Sequence, residues 1–190
     1  MTTVAIPEWT AEGLLPPIDS TQPTSVERAP YPVSLLDVVM RFSTSSARRR
    51  VLHGLLDYRA ALHNMGLIAG FQWLDGSFME QVEILERRAP RDIDVVSFVE
   101  VPDNFDPSPA DWARVEHDAA KAQYSVDSYF VELNLLEPEA IVKTSAYWYS
   151  MWSHRRNQAW KGYLRIDLNP IHDDAARDWL TQADTAEAQP

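Results

Sequence analysis

Apolar positions recur at helical spacing over two early stretches of the chain. Ser34 to Phe42 reads as a short amphipathic helix. From Ser46 to Asn64, Val51, Leu52, Leu55, Leu56 and Leu62 recur every three or four residues, with Met65 just beyond, and Gly66 stands where a left-handed C-terminal glycine belongs. Leu67 to Leu74 is an apolar, aromatic strand candidate. Ser77 to about Arg87 returns to helical spacing, with Phe78, Val82 and Leu85 on one face, so Gly76-Ser77 falls at a strand-to-helix junction. Arg91 to Val101 reads as the central strand, because Ile93 and Val95 alternate with Asp92 and Asp94.

Further on, Ser108-Pro109-Ala110-Asp111 opens a helix, with Ser as N-cap and Pro in its first turn, that runs to about Lys121. Tyr124 to Leu133 is a second strand that carries Asp127. Glu137 to Met151 forms an aromatic-rich helix, read as a core or capping helix ahead of a base-stacking platform, Trp160 to Leu168 an alternating strand, and Asp173 to Leu180 a last helix. Residues 1–32 are Pro-rich and aperiodic, hence an extended arm, and residues 182–190 read as a disordered tail. The pattern predicts one α+β domain over residues 33–181, a mixed β-sheet flanked by helices.

Composition narrows the function classes. Cysteine is absent, which excludes disulfides and thiolate metal sites. No apolar run approaches the roughly 20 residues that span a bilayer, and the N-terminus has no basic-then-apolar signal, so a cytoplasmic protein without membrane partners is expected. A net charge of −11 argues against a general nucleic-acid coat while leaving room for local basic patches. Such patches lie at Arg48 to Arg50, which reads as a solvated face, at Arg87 to Arg91, and at His154 to Lys161.

The candidate chemistry sits in Leu74-Asp75-Gly76-Ser77 and Arg91-Asp92-Ile93-Asp94. Side chains alternate along a strand, so Asp92 and Asp94 share a face, and two adjacent carboxylates call for a hard cation such as Mg²⁺ or for a nearby arginine. A glycine-serine turn lets a ligand reach the backbone, and a helix N-terminus there offers free amides to phosphate. Asp127 enters the next strand as a third carboxylate.

The order Gly-Ser, spacer, Asp-x-Asp, later Asp resembles the nucleotidyltransferase superfamily. More closely, Phe71-Gln72-Trp73-Leu74-Asp75-Gly76-Ser77-Phe78, Arg91-Asp92-Ile93-Asp94-Val95-Val96 and Ser153-His154-Arg155-Arg156 with Trp160-Lys161-Gly162 resemble a bacterial nucleotidyltransferase-like family of unknown function. The resemblance implies a polymerase-beta-like fold, with Asp92, Asp94 and Asp127 as catalytic metal ligands for two Mg²⁺ ions. It also implies Gly76 and Ser77 on the nucleotide phosphates, with Arg91, Arg155 and Lys161 as further nucleotide-binding residues. The implied reaction moves an NMP from an NTP onto a protein or RNA acceptor, in a setting such as a toxin–antitoxin or phage-defence pair. The other reading is a catalytically inactive fold that binds a toxin or defence-system partner. The fourteen residues between Ser77 and Asp92 exceed the superfamily's usual spacer.

Overall fold

The computed structural model describes residues 3–187. Among them, five strands form one open, mixed sheet in the order β1-β5-β2-β3-β4: β1 Tyr31–Pro32, β2 Gly70–Asp75, β3 Ile93–Val99, β4 Val126–Glu132 and β5 Leu164–Asp167. β2 runs antiparallel to both β3 and β5, whereas β3 pairs with β4, and β1 with β5, in parallel. The helices are α1 Leu35–Phe42, α2 Ser46–Asn64, α3 Val82–Leu85, α4 Pro109–Val115, α5 His117–Tyr124, α6 Pro138–Trp152 and α7 Asp173–Glu187. None of the described helices is long and apolar enough to cross a membrane.

Local sequence accounts for several boundaries. The Ser34 hydroxyl accepts from the Asp37 amide while the Asp37 carboxylate accepts from the Ser34 amide, a reciprocal cap that starts α1 and is worth about 1 kcal/mol. Ser45 caps α2 in the same way through the Arg48 amide. The single helix expected from Ser108 to Lys121 is two, because Glu116 adopts extended ψ between α4 and α5. The expected disordered tail is corrected as far as Glu187, since α7 continues to that residue and buries Ala176 and Leu180; residues 188–190 lie outside the described set.

Period-two alternation gives the sheet two unlike faces. One face, lying under α2, α4, α5 and α7, carries a buried polar chain: Arg59 donates to Gln72, and Gln72 donates to Ser97. Arg59 is fully buried and also forks onto the Asp173 carboxylate. The other face is aromatic. Phe71 stacks on Phe98 at 4.7 Å between ring centroids, Trp73 meets Phe98 at 4.6 Å, and Tyr129 meets Trp148 of α6 at 4.7 Å.

One expectation about a surface segment changes. Arg48 and Arg49 are buried rather than solvated: Arg48 donates to the carbonyls of Phe78 and Glu80 and to Glu83, and Arg49 pairs with Asp184 and Glu187. Only Arg50 of that run stays exposed. The N-terminal segment packs on its own domain, with Leu14 and Leu15 buried and the Trp9 indole donating to the Met79 carbonyl.

Candidate active site

Register sets the site. Asp75 at the end of β2 pairs with Asp94 on β3, and Asp94 pairs with Asp127 on β4, so three carboxylates form one row across three strands. The row ends the aromatic face and opens into a pocket of about 830 Å³. Gly76, Ser77 and Glu80 line the same pocket, Tyr147 and Trp148 of α6 form an aromatic wall, and Arg88, His154, Arg155 and Arg156 form a basic rim.

Each carboxylate meets a different environment. Asp75 is buried, and its only close cation among the described residues is Lys161, 2.8 Å away. Lys161 is itself 5% exposed and reaches Glu80 at 3.4 Å, so this lysine is held charged by two acids. Burial nevertheless pushes the Asp75 carboxyl up to about 6. Asp94 forms no ion pair among the described residues; burial, followed by the charges of Asp75, Asp127 and Asp92, pushes it up to about 7. Asp127 has the opposite surroundings: the Lys121 ammonium lies 2.5 Å from one oxygen and the His117 ring 3.2 Å from the other. Lys121 also reaches Asp92 at 3.2 Å, and the hydrogen bond to Asp127 is the main reason its own proton is held more tightly.

The turn after β2 explains how close the carboxylates come. Gly76 has φ +85° and ψ −173°, a region open essentially to glycine alone. A side chain there would put its Cβ 2.7 Å from an Asp94 carboxylate oxygen. Beyond it the chain does not enter an α-helix as expected. Ser77–Met79 is a single 3-10 turn, and Glu80 is extended, which turns its carboxylate inward to Lys161 before α3 begins at Val82. The phosphate-binding helix N-terminus expected at Ser77 is therefore replaced by a tight turn.

A family model matches residues 7–167, that of the family of unknown function DUF6932. The chain belongs to the DUF6932 family. The match takes in the N-terminal segment, the whole sheet and the pocket, and stops before α7. No curated protein and no solved structure matches the chain.

Within this DUF6932 chain the residues singled out from sequence are partly brought together. Gly76, Ser77, Asp94, Asp127, Arg155 and Lys161 line one pocket. Asp92 lies just outside that lining, joined to Asp127 through Lys121. Arg91 is exposed and lines a neighbouring hollow instead. Arg155 is engaged by Glu80 at 3.2 Å and Glu86 at 2.5 Å, and Lys161 by Asp75 and Glu80. Asp75, Glu80, Lys121 and His117 were not foreseen. For Asp75 a signal existed, since it ends a strand immediately before the glycine turn; for Lys121 and His117 none did, because the α5–β4 packing brings them in.

Among the described residues no three acidic or histidine side chains converge on one point as a ready metal cluster. The donor set still suits a hard cation, being carboxylate oxygen throughout. The Asp127 oxygen beside the His117 ring is buried without a hydrogen bond, and Asp94 forms no ion pair among the described residues. Asp94 and Asp127 are the residues that would hold Mg²⁺, with Asp92 or Asp75 beside them.

Proposed function

We propose that this domain is a Mg²⁺-dependent nucleotidyltransferase with a polymerase-beta-like fold, moving an NMP from an NTP onto a protein or RNA hydroxyl. The observation that carries the reading is the row Asp75-Asp94-Asp127 on the floor of an open pocket, beside the Gly76-Ser77 turn and beneath a basic rim. Asp94 and Asp127 would hold the metal, and the backbone at Gly76-Ser77 together with Arg156 and Arg88 receives the phosphates. Asp127 accepts the proton of the attacking hydroxyl as the new phosphorus–oxygen bond forms and pyrophosphate departs. The chemistry that two Mg²⁺ ions supply in such transfers is neutralisation of charge on the attacking and leaving oxygens. This chain's part is positioning and electrostatic neutralisation.

Labelled NTPs with MgCl₂, incubated with the protein and with candidate protein and tRNA acceptors, test the reading. Transfer by wild type that is lost in Asp94→Asn and Asp127→Asn is expected. Equal labelling by wild type and variants would sink the proposal, and so would failure of every NTP to bind in calorimetry with Mg²⁺.

One observation favours the second reading, a non-catalytic interaction module for a toxin or defence-system partner. Lys121 already supplies a positive charge to Asp92 and Asp127, so part of the cluster is balanced without metal. In that case Asp94→Asn leaves biological activity intact. The N-terminal segment is not a free docking arm in either reading, since Trp9 lies against Phe42 and beneath Arg41.

A further inference from the structure

We infer that the basic rim of the carboxylate pocket and the hollow beside it form a track for the backbone of a single-stranded polynucleotide. The second hollow, about 460 Å³, is lined by Arg50, Arg88, Arg91 and Ser125 together with small apolar groups. Arg88 also lines the carboxylate pocket, so the two hollows share a wall.

The arginines themselves carry the inference. The chain has 28 acidic residues against 17 basic ones, and on such a surface an arginine ordinarily finds a carboxylate. Arg41, Arg48, Arg49, Arg59, Arg88, Arg114, Arg155 and Arg177 all do. Arg28 donates to the carbonyls of Ser25 and Pro23, and Arg165 lies over the Phe71 ring. The exposed arginines with no acidic partner among the described residues are Arg50, Arg87, Arg91 and Arg156. Arg50 and Arg91 line the second hollow, Arg156 lines the first, and Arg87 adjoins the shared wall at Arg88. Of the exposed basic side chains without an acidic partner among the described residues, only Lys143 on α6 stands apart; the unpaired arginines are gathered along one path past the carboxylate row.

A guanidinium fork fits phosphate oxygens bidentately. Phosphodiester is favoured over an acidic peptide because the path passes exposed Tyr147 and half-buried Trp148, whose rings offer stacking surfaces that bases use and carboxylate side chains do not. The track deepens the transferase reading by naming a polynucleotide as acceptor, and so rests on it for that role. Strand binding itself requires neither metal nor transfer.

Fluorescence anisotropy on the full chain with labelled oligouridine and oligothymidine, in EDTA at about 50 mM salt, tests it. Arg50→Gln/Arg91→Gln is expected to weaken binding by about tenfold and to reduce the slope of log K against log salt by about 1.4, near 0.7 for each phosphate left without its arginine. Arg177→Gln, in a paired arginine elsewhere, is expected to bind as wild type. Retained strand binding in a protein that transfers no NMP supports the track while removing the transferase reading. Absence of binding to both oligonucleotides, unchanged binding by the double variant, or tighter binding of a polyglutamate peptide than of either oligonucleotide overturns the inference.

Discussion

Asp75 and Asp94 face each other directly across the β2–β3 ladder, and only Asp75 has a lysine. Like charges placed opposite one another in a sheet repel, and here both are largely removed from water. Holding Asp94 beside Asp75 in this ladder therefore costs the fold stability.

Substitution Asp94→Asn keeps the shape and removes the charge. Because the folded carboxyl titrates at about 7 rather than 3.8, the folded state binds a proton more tightly than the unfolded one across that interval. Its contribution is complete below 3.8 and is lost as pH rises through about 7. Without divalent ions, wild type should lose stability relative to Asp94→Asn over this interval, the gap reaching on the order of 1–3 kcal/mol above it. Parallel thermal melts of the two proteins across pH would contradict this.

Lys121 balances the Asp127 end of the row, as Lys161 balances the Asp75 end. Its side chain is 46% exposed, so Lys121→Ala should cost only about 0.5–1 kcal/mol without divalent ions. The informative quantity is the rise in melting temperature on adding MgCl₂. That rise should be larger in Lys121→Ala than in wild type, since Asp92 and Asp127 then lack any lysine or arginine partner among the described residues. An equal or smaller rise would show that the lysine and the ion do not share a site.

Two glycines at positive φ offer a matched comparison. Gly76→Ala meets both a glycine-only backbone and the Asp94 carboxylate, and should cost about 1–3 kcal/mol together with NTP affinity. Gly66→Ala has φ +90° with open space around its Cβ, so it should cost about 1 kcal/mol and leave NTP affinity unchanged. Denaturant melts and calorimetry on the pair check this, and equal losses of affinity would remove the special role given to the turn.

Helices whose apolar period ran long and whose caps were written locally were legible in the sequence: α2 spans Ser46–Asn64 as its pattern requires, and α1 starts at its capping serine. The strands bearing Asp94 and Asp127 were legible too, because alternation identifies a face without knowledge of the partner strand. What alternation cannot give is register. That Asp75, Asp94 and Asp127 fall in one row depends on how β2, β3 and β4 slide past each other, which no single strand's pattern encodes. Arg48 shows the converse failure. An arginine triplet at a helix start reads as solvated, yet Arg48 and Arg49 find partners contributed by distant segments, at Glu83 and Asp184.

The position of β1 has a consequence for synthesis on the ribosome. Tyr31 pairs with Leu164, so β1, the first of the described strands, must wait for β5, the last of them, before it is paired. A waiting strand is a hazard, because unpaired amides invite neighbours. The prolines before and within it, Pro7, Pro16, Pro17, Pro23, Pro30 and Pro32, donate no amide hydrogen bond. A stretch so poor in amide donors is a weak template for mispairing while β5 is not yet in place.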